Sequence, residues 1–109
     1  GETIAVTLIW RADRPTAGNW KVFIHLAGAA ETTVAQGDGY PQGGAALTTT
    51  WQNGEMIADT HLIELAGDLP EGEYQLKIGF YNEETNERLP LTPGVDTYTW
   101  PKPITITRP

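Results

Sequence analysis

Apolar residues recur at every second position in three separate stretches of this chain, and no stripe at i, i+3, i+4, i+7 persists anywhere. From Thr3 to Arg11, Ile4, Val6, Leu8 and Trp10 share one face, while Thr3, Ala5, Thr7, Ile9 and Arg11 share the other. From Trp20 to Leu26, Val22, Ile24 and Leu26 oppose Lys21, Phe23 and His25. From Glu73 to Tyr81, Tyr74, Leu76, Ile78 and Phe80 oppose Gln75, Lys77, Gly79 and Tyr81. Side chains alternate between the two faces of a strand, so each stretch is a strand with one apolar face. Such a face has to be buried against a second layer.

Weaker strands are expected over Thr33 to Asp38, Met56 to Leu65 and Pro103 to Thr107, with a return strand over Glu87 to Leu91. Turn chemistry separates them. Arg14 to Asn19 reads as a loop, and Pro41-Gln42-Gly43-Gly44 opens a longer connection ending near Trp51. Asn53-Gly54 is a tight-turn signal. Asp68 to Gly72 launches the Tyr74 strand, and Asn82 to Asn86 reads as a hairpin loop with Asn86 in the left-handed position. Pro90, Pro93, Pro101, Pro103 and Pro109 direct the last quarter to a sheet edge, where a missing backbone N–H does least harm. About seven short strands at this spacing predict a single all-β domain over residues 1–109, an antiparallel two-sheet β-sandwich of immunoglobulin-like layout. Four Trp and four Tyr supply much of the burial. Each buried ring is worth ~4–6 kcal/mol as an upper bound.

Composition removes whole classes of chemistry. The 109 residues contain no cysteine and no serine. Disulfides, thiolate metal sites, cysteine nucleophiles and a Ser-His-Asp triad are therefore excluded. Seven basic against fourteen acidic residues give a net charge of −7, which argues against a nucleic-acid partner. No apolar run reaches the roughly 18–20 residues of a membrane helix, so this piece is not expected to insert into a bilayer.

Several residue sets are candidates for function. Phe23, His25, Lys77 and Tyr81 face away from the apolar side of their strands. If the two strands are neighbours, these residues form one outer patch with Gly79 as a shallow floor, suited to a sugar ring or a partner domain. A covering loop, Gly43 to Trp51, is the structural alternative. Trp10 belongs to the core by parity, whereas Trp51, Tyr98 and Trp100 are candidate sugar-stacking platforms. Asp59 and His61 share one face at i, i+2, but two histidines on different strands fall short of a metal site. No metal and no cofactor are expected, and Asp59 is expected to pair with Arg88. Glu55, Glu64, Glu71, Glu73, Glu83, Glu84 and Glu87 lie in loops or on solvent faces, not across a cleft as a glycosidase requires. No catalytic residues are expected.

The order of these segments carries a resemblance. Thr7-Leu8-Ile9-Trp10-Arg11-Ala12 is followed by Lys21-Val22-Phe23-Ile24-His25-Leu26, then Ala35 to Pro41, Trp51-Gln52-Asn53-Gly54-Glu55 and Asp59-Thr60-His61. Leu69 to Asn82 and Thr85-Asn86-Glu87-Arg88-Leu89 close the pattern. Together they resemble the C-terminal β-sandwich domain of Chloroflexi-type polytopic glycosyltransferase-like membrane proteins, the dolichyl-phosphate-mannose-protein mannosyltransferase-like group. The family hairpin usually has Asp and Gly where this chain has Asn82 and Asn86, an exchange that keeps turn chemistry. The family domain also has one more strand upstream of the position of Glu2. The resemblance implies an excised extracytoplasmic accessory domain on the cell-surface side of a bacterial membrane. Its partner would be the transmembrane remainder of its parent, which holds the catalytic machinery. A carbohydrate-binding module recognising a surface glycan through exposed aromatics is the alternative.

Overall fold

The computed structural model describes residues 2–12, 17–91 and 94–107. The loop expected at Arg14 to Asn19 is described only from Ala17 onward, and Pro93 and Pro109 lie outside the described residues. Among the described residues, seven strands form: β1 (Thr3–Arg11), β2 (Lys21–Ala27), β3 (Thr33–Gln36), β4 (Met56–Glu64), β5 (Gly72–Tyr81), β6 (Tyr98–Thr99) and β7 (Ile104–Ile106). They make two antiparallel sheets. One is the pair β1–β4; the other runs β3-β2-β5-β6, with β7 also paired to β5. The chain changes sheet between β1 and β2, β3 and β4, and β4 and β5, as expected of an antiparallel two-sheet β-sandwich.

Parity determines the core. Val22, Ile24 and Leu26 of β2 and Tyr74, Leu76, Ile78 and Phe80 of β5 are buried against Ile57 and Ile63 of β4, with Ile4, Val6, Leu8 and Trp10 of β1 packed on them. Trp10 meets Phe80 at 4.5 Å between ring centroids, and Trp51 meets Phe80 edge-on at 6.1 Å. These offset arrangements suit the quadrupoles of the rings.

The connections follow their turn residues. Glu55 N–H donates to Gln52 O at 2.9 Å, with Gly54 at φ +82°. A positive φ at that position of a turn favours glycine. Asn86 takes φ +62°, as its left-handed assignment predicts. Asn82 Oδ1 accepts from the backbone N–H groups of Glu84 and Thr85, which nucleates that loop. Gly37 marks the passage from β3 towards β4, where a Cβ would collide with the Leu62 carbonyl.

One expectation needs correction here. The return strand over Glu87 to Leu91 reduces to one bridge between Tyr81 and Arg88, reinforced by Leu89 N–H donating to Phe80 O. The main partner on that edge of β5 is split between β6 and β7, and Pro101 and Pro103 fall between and before those two short strands. Prolines remove the donors that a continuous strand would need.

In the β1–β4 pair, the outer edge of β1 is open among the described residues. Leu65 N–H donates to Glu2 O, and Ala12 N–H donates to Glu55 O, at 2.8 and 2.9 Å, in register with the ladder between the strands. Hydrogen-bonded and non-bonded pairs alternate in an antiparallel ladder. Ile4, Val6, Leu8 and Trp10 therefore bond to β4. The backbone groups of Thr3, Ala5, Thr7, Ile9 and Arg11 point to the opposite side, where no strand is paired among the described residues.

Candidate functional site

The β2–β5 ladder brings the outer-face residues together. Phe23 lies opposite Gly79, His25 opposite Lys77, and Lys21 opposite Tyr81. The patch expected from the sequence therefore exists as a neighbourhood, but it is not an exposed apolar surface. Phe23 is only 2% exposed. The Arg88 guanidinium lies over its ring at 4.6 Å, a cation–π contact. Gly79 is no shallow floor: a Cβ there would run into the Phe23 ring and the Asp96 carbonyl. The cover comes from the excursion between β5 and β6, not from Gly43 to Trp51. That latter segment turns inward instead, placing Trp51 in the core.

What remains on this face is polar. His25 Nε2 stands 3.5 Å from Asp38 Oδ1, and Asp38 Oδ1 also accepts the Ile24 N–H at 3.1 Å. Lys77 Nζ donates to Glu31 Oε1 and to Thr99 Oγ1, each at 3.0 Å. Arg88 donates to Thr97 Oγ1 at 3.1 Å and stands 3.8 Å from Asp96. At the end of the groove, Lys21 Nζ bonds Glu83 at 2.6 Å, and the Tyr40 hydroxyl donates to the other oxygen of Glu83. The hydrogen bond from Lys21 holds the Glu83 carboxyl below its ordinary value and raises the Lys21 ammonium. Partial desolvation, then the charge of Glu83, raises the Tyr40 phenol.

The aromatic platform candidates separate. Trp51 is buried, and its indole N–H donates to Ala46 O at 2.8 Å, so it offers no face to a ligand. Tyr98 and Trp100 are 50% and 38% exposed. They flank a trough of about 480 Å³ between β1 and the β6–β7 edge, floored by Ile4, Val6, Leu8 and Ile78. This trough runs beside the open edge of β1.

Asp59 and His61 share a face of β4, and that face is the core. The two are 1% and 6% exposed. Asp59 accepts from Trp10 Nε1 at 3.1 Å and from Gln42 N–H at 2.7 Å, with His61 Nε2 at 2.6 Å. His61 Nδ1 faces the Gly37 carbonyl at 3.1 Å. Both ring nitrogens are thus occupied. The expected Asp59–Arg88 pair does not form, because Asp59 points inward from β4 and Arg88 lies on the outer face of the other sheet. No group of three metal-ligating side chains converges among the described residues. The burial of Asp59 was foreshadowed by parity, since it shares a face with Ile57 and Ile63.

Comparison with known proteins returned no matching family model, no matching curated protein and no matching solved structure.

Proposed function

We propose that this chain is a non-catalytic, extracytoplasmic accessory and interaction domain of a membrane glycosyltransferase-like protein. The observation that carries this reading is the open edge of β1 lying beside an apolar trough with two exposed aromatic rings. Unpaired strand edges are templates for another strand, and soluble domains usually blunt or cover them. Here the edge is unprotected, with Arg11 as the only charge among its outward residues. A further strand of the parent protein, as the resemblance implies, would pair there and cover Tyr98 and Trp100.

The test uses the absence of cysteine from these 109 residues, with any cysteine elsewhere in the parent replaced first. A photo-crosslinking residue replacing Trp100 in the membrane-embedded parent should link to the parent or to a neighbouring membrane protein. The same residue replacing Glu84 should link weakly. A single cysteine introduced as T85C should react with a membrane-impermeant maleimide on intact cells. Crosslinking from position 84 but not from 100 would refute the trough as the interface, and protection of the cysteine would refute the location.

The second reading is a carbohydrate-binding module using exposed aromatics. Tyr98 and Trp100 are its available rings, and Trp51 is not.

A further inference from the structure

The outer face of the five-stranded sheet holds two adjoining hollows, of about 370 and 300 Å³, which share Phe23, His25 and Arg88. The guanidinium of Arg88, resting on the Phe23 ring, stands between them. Each hollow is at the small end of the range for small-ligand sites. The larger is lined by the carboxamides of Gln36 and Asn86, the Tyr81 phenol, the His25–Asp38 pair and Arg88. Carboxamides present a donor beside an acceptor, and the carboxylate adds acceptors. That combination matches neighbouring hydroxyl groups, each of which both donates and accepts.

Charge narrows the ligand class. Each basic side chain of the groove faces a carboxylate: Arg88 with Asp96 at 3.8 Å, Lys77 with Glu31 at 3.0 Å, and His25 with Asp38 at 3.5 Å. Lys21, at its end, is engaged by Glu83. Exposed Glu84 and Glu87 sit on the adjoining loop, and the whole chain carries −7. Among the described residues of the groove, no surplus positive charge is left to attract an anion.

The geometry points to a binding groove for an uncharged oligosaccharide, with successive sugar units on either side of Arg88. This shares the ligand class of the second functional reading but uses polar groups of the outer face in place of Tyr98 and Trp100. The accessory-domain reading stands or falls separately.

Amide NMR titration of the intact chain tests it, with mannotriose and cellotriose as neutral probes and trigalacturonate as the anionic one. At least one neutral trisaccharide should shift the backbone signals of His25 and Tyr81 and the side-chain amides of Gln36 and Asn86. Trp100 should be unmoved. Gln36→Ala and Asn86→Gly remove one carboxamide each from exposed positions, and the glycine suits the positive φ at position 86. Each should weaken binding about tenfold, the worth of one good hydrogen bond. Shifts confined to Tyr98 and Trp100 would relocate glycan binding to the trough and overturn the proposal. Tighter binding of trigalacturonate would overturn the ligand class. Silence with all three probes at millimolar concentration would overturn the groove itself.

Discussion

Asp59 Oδ2 is shared by two groups from the sandwich interior, the indole N–H of Trp10 at 3.1 Å and His61 Nε2 at 2.6 Å. Its other oxygen receives the Gln42 N–H. One carboxylate thus ties β1, β4 and the Pro41–Gly44 turn together inside the core. Removing this carboxylate strands the buried N–H groups of Trp10 and Gln42, at a cost of ~1–3 kcal/mol each. Asp59→Ala should lower the unfolding free energy obtained from urea denaturation by an amount of that order. Asp38→Ala, which loses chiefly the Ile24 N–H bond at a half-buried site, should cost ~1–2 kcal/mol. Equal losses in the two variants would contradict the assignment of Asp59 as an interior tie.

Gly79 is irreplaceable for a packing reason, since its φ lies outside the left-handed region. A methyl group there meets the Phe23 ring and the Asp96 carbonyl at once. Gly79→Ala should cost ~1–3 kcal/mol by overpacking. It should also displace Phe23 and, with it, the Arg88 guanidinium, read as a changed ring-current shift on the Arg88 side chain. A silent substitution would mean that the ring is not held over this glycine.

The Lys21–Glu83 bond sets a weak pH dependence. Glu83 titrates below its ordinary value because Lys21 donates to it, so its contribution is present above about pH 4.3 and is lost as pH falls through the lowered folded value. Lys21 titrates above its ordinary value, so its contribution persists below about pH 10.4 and disappears only as pH rises through the raised value. The pair is exposed and screened by salt. Glu83→Gln should therefore flatten the acid limb of the stability curve slightly, and about 1 M salt should erase the difference. A large midpoint loss at neutral pH would contradict this surface role.

The indoles divide into an interior group and a surface ring. Trp51 is 7% exposed and Trp100 is 38% exposed. Single-Trp variants made by Trp→Phe substitution should show acrylamide quenching at position 100 and near-silence at position 51. The reverse order would move the trough and the core.

Much of this was legible because strand parity is local. The alternation in Thr3 to Arg11 and Glu73 to Tyr81 placed every inward residue of β1 and β5, whereas the pairing of β2 with β5 was only the condition for the outer patch and is supplied by the structure. The identity of the cover was not legible. Arg88 and Asp96 reach Phe23 and Gly79 through a long excursion whose residues carry no period, so tertiary packing alone brings them there. Trp51 was misread for the same reason: a residue beside a turn has no parity to say which way it faces. Asp59 carried a usable signal, two residues from Ile57 and four from Ile63. Its partner Gln42, and the Gly37 carbonyl that faces His61, come from irregular segments, where spacing says nothing.

The open edge of β1 is tested most directly by amide hydrogen exchange of the isolated chain, residue by residue along that strand. The amides of Ile4, Val6, Leu8 and Trp10 should be protected through β4, and those of Thr3, Ala5, Thr7 and Ile9 should exchange close to the rate of an unbonded amide. Uniform protection along β1 would show that both edges are already paired and would contradict the account.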